Sequence, residues 1–146
     1  MTRPTIERLR EVLAHEPSTG ALTWRVSLSN RAPLGAEAGW VSRGYRFVEV
    51  DSSGPLPAHV VALAIHSGSW PVADVDHRNG LTLDNRADNL RDVPHAVNQQ
   101  NRRQAAKHNK CGVLGVVLGS NGRFSARIRV DGKQRHLGCF GTAEEA

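Results

Sequence analysis

Residues 74–90 read DVDHRNGLTLDNRADNL. In PVADVDH the apolar Val72 and Val75 are followed at once by Asp76 and His77, which predicts a short strand with both polar side chains at its end. Residues 78–92 are rich in Gly, Asn and Asp and predict a loop. Pro94 suits a first helical position, where its missing N–H costs nothing, so PHAVNQQNRRQAAKHN is expected to run as a helix of about four turns. On that helix Asn98, Asn101, Arg102 and Ala105 share a face, and Asn98 can point back toward the strand that carries Asp76 and His77.

These residue types suit phosphodiester hydrolysis, which needs a base to deprotonate water and a cation to neutralise charge on the phosphoryl and leaving oxygens. An imidazole titrates near neutrality, so His77 is able to accept a proton. Asp76 and Asn98 offer only oxygens, the donors that hard Mg²⁺ prefers and Mn²⁺ accepts, whereas zinc favours nitrogen and sulfur. The amide of Asn89 suits a supporting task, either bridging backbone groups across the long loop or fixing His77. Asn85 is the weaker candidate, and a turn role suffices for any of these asparagines taken singly.

Working outward, TIERLREVLAHE places Ile6, Leu9, Val12 and Leu13 at helical spacing and is expected to end near Pro17. From 21 to 50, ALTWRV, AGWVS and YRFVEV are separated by Pro33, Gly35, Gly39 and Gly44 and predict a small antiparallel sheet. PAHVVALAIHSG then predicts a helix from Pro57 to Gly68, with His59 and His66 read as packing or capping residues.

The tail CGVLGVVLGSNGRFSARIRVDGKQRHLGCFGTAEEA alternates Phe124, Ala126, Ile128 and Val130 with Arg123, Ser125, Arg127 and Arg129. It carries hairpin signals at Asn121-Gly122 and Asp131-Gly132. Three antiparallel strands follow, with one apolar face and one armed with arginine that suits phosphates or guanine edges.

At 146 residues the chain is one domain or two small ones. There is neither a run of about 18 apolar residues nor an apolar signal core after MTRPTIERLREVL, so neither a membrane span nor secretion is expected. Cys111 and Cys139 form no CxxC motif and are read as free thiols. The net charge is +5. Residues 99–146 hold nine Lys or Arg against three acids, a net of +6, which leaves −1 for the first 98 residues. A polyanion is the natural partner of such a C-terminal third, a solvated face the plainer alternative.

DVDHRNGLTLDNRADNLRDVPHAVNQQNRR resembles the HNH nucleases of phage and intron-encoded homing type, whose pattern runs vDHinG, DNR, NLR and N..N. The likeness extends back through PSTGALTWRV, AGWVSRGYRFVEV and AHVVALAIHSGSWP, and covers about residues 9–104. It departs at Val60, where that family commonly has Arg after its His, here His59. The resemblance implies a ββα-metal (His-Me finger) fold with His77 as general base and Asn89 as the residue that orients it. Asp76 and Asn98 would hold one Mg²⁺ or Mn²⁺.

The tail is similar to the ethylene-response-factor-like (AP2-type) DNA-binding domain found at the end of many phage HNH proteins. Its closing helix is expected to be missing, because the chain ends at TAEEA.

The expected architecture is therefore α+β. An HNH domain at 1–109 has its ββα-metal core at about 70–108 and an N-terminal antiparallel sheet, and a small three-stranded C-terminal sheet follows at 110–146. The expected activity is Mg-dependent cleavage of double-stranded DNA in the cytoplasm, a host's if the protein is phage-encoded, as monomer or dimer. DNA contacts are expected from Arg102, Arg103, Lys107, Arg123, Arg127, Arg129 and Arg135. The alternative is a DNA-binding regulator on an inactive nuclease scaffold.

Overall fold

The computed structural model describes residues 2–101, 109–130 and 132–146. Contacts group the chain into two compact units, Met1–Asn101 and Arg102–Ala146. Helix and strand are mixed, and every sheet is small and antiparallel, which is compatible with α+β.

In the first unit, α1 (Ile6–Val12) starts where the Thr5 side chain accepts the Arg8 N–H at 3.2 Å. It stops sooner than its periodicity suggests, because Leu13 is extended and opens β1 (Leu13–His15), which pairs with β2 (Leu22–Trp24). A three-stranded sheet follows, with β3 (Trp40–Ser42), β4 (Tyr45–Val48) and β5 (Leu56–Pro57) in sequential order. The β3–β4 turn is Arg43-Gly44, both at positive φ, the two-residue geometry that matches strand twist. At Gly39 (φ +84°) a Cβ would stand 1.8 Å from the Phe47 carbonyl oxygen, so only glycine lets the two strands close.

α2 (Ala58–Ser67) begins after Pro57 and ends at Gly68, whose left-handed φ of 80° stops it where the sequence predicts. It buries Ala58, Val61, Ala62 and Ala64 and touches α1, β1 and β4–β5. The core of this unit gathers around it: Leu9, Val12, Leu13, Leu22, Trp24, Ala38, Val48 and Val50 are all buried. One wall of α2 also meets the hairpin of β6 (Asp74–His77) and β7 (Leu90–Val93).

That hairpin differs from the expected strand and long loop. Residues 90–93 pair with 74–77 in the register Asp76↔Arg91 and His77↔Leu90, so the loop is shorter and a second strand is present. Val72 is fully exposed and stands outside β6. The N–H groups of Val72 and Ala73 are instead held by the Asp92 carboxylate at 2.8 and 2.9 Å. α3 (His95–Gln100) follows Pro94. The remainder of the expected four-turn helix, with Arg102, Arg103 and Lys107, lies outside the described residues.

The second unit contains β8 (Val116–Leu118), β9 (Phe124–Val130) and β10 (Lys133–Phe140), ordered β10–β9–β8. Among its described residues only Val116, Ser125 and Ala126 are buried. Its register corrects the expected division into an apolar and an arginine face. Directly opposed residues of an antiparallel pair share a side. Arg135 faces Ile128 and Lys133 faces Val130, so cations stand beside the apolar stripe. Arg127 and Arg129 share the other side with His136 and Gln134. Leu137 is the extra residue of a bulge between His136 and Gly138.

Candidate active site

Successive side chains of a strand point to opposite faces. Asp76 therefore looks toward the end of α3 and His77 toward α2, and both are buried, at 7% and 5% exposure. Each is surrounded by a distinct set of partners.

On the His77 side, Nε2 lies 3.1 Å from Oδ1 of Asn85, itself buried. An amide oxygen can only accept, so Nε2 donates, and in the neutral ring this tautomer makes Nδ1 the acceptor. No described residue bonds that Nδ1. The His59 ring centroid from α2 is 4.9 Å away, and Tyr45 from β4 lies 5.6 Å from His59 and 6.4 Å from His77. Burial, with His77 beside it, brings the His59 pKa down to about 4, so this ring is neutral at physiological pH.

Asn85 is fixed from behind. Its carbonyl accepts from Nε2 of His15, at the end of β1, at 3.0 Å, and a Cβ on Gly20 would come within 2.5 Å of its backbone. The Pro17 carbonyl accepts the Ala87 N–H at 3.0 Å. The β1–β2 turn thus buttresses the residue that sets the His77 tautomer. Burial lowers the His15 pKa against the bond to Asn85, and its Nδ1 is buried without a partner.

Asn89 performs the loop-bridging task. Its Oδ1 accepts the Asn79 N–H at 3.0 Å and its Nδ2 donates to the Asp84 carbonyl at 2.7 Å, so its side-chain bonds to described residues clasp the loop backbone and not the His77 ring. Asp84 is braced in turn by Arg86 and by Nδ2 of Asn79, and hydrogen bonding, Arg86 first, holds its pKa down at about 2.

On the Asp76 side, Oδ2 accepts from Nε and Nη2 of Arg91 at 2.9 and 2.7 Å. Nδ2 of Asn101 reaches both carboxylate oxygens at 3.0 and 3.1 Å and the His77 carbonyl at 2.7 Å. Asn98, one turn earlier, donates instead to Oδ2 of Asp74 at 3.0 Å. Asp74 also meets Nδ1 of His95 at 2.7 Å, and the bonds from Asn98 and His95 lower its pKa. The strand thus presents two acids to α3, each with its own asparagine.

The structure brings Asp76, Asn98 and Asn101 to one side of β6 and His77, His59 and Asn85 to the other. Asn85 and Asn101 are the residues that sequence reasoning undervalued. Asn85 sits inside the DNR segment where a turn role accounts for it, and Asn101 shares the face of Asn98 with nothing local to say which of them reaches Asp76. In the second unit, Nη2 of Arg123 donates to the Cys139 carbonyl at 3.2 Å and Nε of Arg127 to Oγ of Ser125 at 3.2 Å, while Arg129 and Arg135 are exposed. Among the described residues no group of three or more His, Cys, Asp and Glu stands ready for a metal, and no helix is long and apolar enough to cross a membrane.

No curated protein and no solved structure matches the chain. Residues 56–100, which contain α2, the β6–β7 hairpin and α3, match the family model described as HNH endonuclease, and this supports an HNH-type nuclease with DNA as its substrate.

Proposed function

We propose that the protein is a metal-dependent DNA endonuclease of the HNH ββα-metal class, of homing or nicking type, carried by a phage or mobile element and active in the cytoplasm. The observation that carries this reading is the buried His77 at the end of β6, its Nε2–H held by Asn85, inside the segment that matches the HNH family. In this role Nδ1 of His77 takes a proton from water as the water oxygen attacks phosphorus. The phosphorus–oxygen bond opposite breaks, and the leaving oxygen takes a proton from solvent. Asn85 holds the tautomer, and Asn89 keeps the loop closed around it.

The donor chemistry on the α3 side of β6, across the strand from the His77 ring, fits one Mg²⁺ or Mn²⁺. Among the described residues Oδ1 of Asp76 accepts only from Asn101 and Oδ1 of Asn98 accepts from none, so hard oxygen donors are left over. Asp76 and Asn98 would hold the ion, with Arg91 and Asn101 steadying the carboxylate. When bound, the cation would withdraw charge from the phosphoryl and leaving oxygens. The second unit supplies affinity for duplex DNA through Arg123, Arg127, Arg129 and Arg135, and the segment with Arg102, Arg103 and Lys107 adds phosphate contacts.

One observation favours a second reading. Arg91 already neutralises Asp76 from within the chain, as it would in a DNA-binding regulator on a silent nuclease scaffold. Plasmid nicking separates the two. The nuclease cuts with Mg²⁺, stops in EDTA, and loses about 10²- to 10⁴-fold in rate in His77→Ala with DNA binding kept within a few-fold. Absence of cleavage by the wild type, or full activity in His77→Ala, overturns the assignment.

A further inference from the structure

Two imidazoles face each other in this molecule, and hydrolysis as derived above uses only one of them. His59 and His77 have ring centroids 4.9 Å apart at an interplanar angle of 55°. Imidazole nitrogens bind zinc at about 2.0–2.1 Å, and two rings sharing one ion at a tetrahedral angle place their centroids about 5 Å apart.

The hydrogen bonding points the same way. A metal-bound histidine almost always donates its other ring N–H to a fixed acceptor, which sets the tautomer and raises the basicity of the ligating nitrogen. Asn85 does this for Nε2 of His77, and leaves Nδ1 free. No described residue bonds either nitrogen of His59. Tyr45 walls the pair without bonding it. The donor set is nitrogen only, whereas Asp76 and Asn98 on the other side of the strand offer oxygen only, so the two places select different ions.

We infer that His59 and His77 form a second cation site, one that takes a borderline-soft divalent ion such as Zn²⁺ or Co²⁺ and not Mg²⁺. Two protein ligands leave the rest of the coordination sphere to water. Occupation engages the lone pair of His77, so this ion competes with the proton for the same nitrogen. Binding at the pair is independent of the nuclease reading, and only the resulting inhibition of cleavage rests on it.

The test titrates Co²⁺ into the full-length chain and follows its visible absorption, with His59→Gln, His77→Gln, Asp76→Asn, Asn85→Ala and His136→Ala compared. His136 is included because its Nε2 lies 3.4 Å from Sγ of Cys139 and could bind on its own. The absorption is expected to be lost in His59→Gln and His77→Gln and kept in Asp76→Asn and His136→Ala, while Asn85→Ala weakens affinity about 10- to 100-fold. Should His59→Gln fail to fold, Zn²⁺ added to the wild type must still shift the imidazole NMR signals of His59 and His77 together. Unchanged Co²⁺ affinity in folded His59→Gln, or no shift of these two rings, overturns the site.

A cleavage arm adds Zn²⁺ to the Mg²⁺ reaction. The wild-type rate should drop, and the ratio of rates with and without Zn²⁺ should return toward one in His59→Gln. A protein that never cleaves but loses Co²⁺ in His59→Gln refutes the nuclease and retains the site. One that cleaves while binding Co²⁺ equally in both forms does the reverse.

Discussion

Replacing Asn89 by alanine tests the loop clasp on stability alone, apart from any chemistry. The side chain is 5% exposed and satisfies two backbone groups ten and five residues away in sequence, the Asn79 N–H and the Asp84 carbonyl. A buried polar group left unpaired costs about 1–3 kcal/mol. Asn79 and Asp84 are only half-buried, so water partly replaces the missing partner and the lower part of the range applies to each. The expected loss is about 2–3 kcal/mol, a large share of the roughly 5–15 kcal/mol that holds a domain together. For a unit of this size each kcal/mol moves the melting temperature by about 4–8 °C, so a fall of about 8–24 °C is expected in a thermal melt.

Hydrogen exchange at the Asn79 amide should accelerate in the same variant. Asn89→Asp supplies a control, since it keeps the acceptor for Asn79 but turns a carboxylate oxygen toward the Asp84 carbonyl. Its deficit should shrink in acid, once the introduced carboxyl is protonated and able to donate. A melting temperature lowered by less than about 4 °C in Asn89→Ala, with Asn79 exchange unchanged, would refute the clasp.

Asp76→Ala and Asn98→Ala should each raise the Mg²⁺ concentration needed for plasmid cleavage or abolish it, and unaltered Mg²⁺ dependence would remove the residue from the ion's ligands. His15 and His59 both have folded pKa values below the unfolded value of about 6.5, so the unfolded chain binds more protons in acid. Stability should be full above pH 6.5 and decline from there toward about 4, and melts across that window should show a shallower decline in His59→Gln. Arg123, Arg127 and Arg129 replaced together by Ala should weaken DNA binding and flatten the log–log salt slope by about 0.9 for each phosphate no longer neutralised. Affinity and slope both unchanged would mean a merely solvated face. Gly39→Ala should cost on the order of 3 kcal/mol or more, from its positive φ and the Phe47 carbonyl together, and a chemical melt near wild type would contradict that packing.

A strand ending at Asp76 and His77 was legible from Val75 and the polar pair that follows it, although Val72, read as part of that strand, lies outside it and is exposed. The limits of α2 were legible because Pro57 and Gly68 act through their own backbone geometry. β7 was not, since Leu90–Val93 reads LRDV and becomes a strand through pairing with β6, which no local pattern encodes. The same holds at α1, where helical spacing through Leu13 loses to a pairing with β2. Asn85 was undervalued because its importance comes from His15 and Gly20, far back in the chain, and from a ring eight positions upstream. The arginine face was half right. Alternation along β9 is visible in one strand, but the register that sets Arg135 opposite Ile128 belongs to two.

The placement of α2 has a consequence for how the protein opens. Each sheet of the first unit has only two or three strands and cannot stand alone. All of them lean on a helix whose Ala58, Val61, Ala62 and Ala64 are sealed from water. Loss of α2 therefore exposes everything at once, and its central amides should exchange with solvent only through complete unfolding of that unit. The second unit has three buried residues among those described and shows no such keystone among them, and the amides of β8–β10 should exchange through smaller, more frequent openings. Native-state exchange would then separate two free-energy levels in one chain, a slow family in the half that holds His77 and a fast one in the half that holds Arg127 and Arg129.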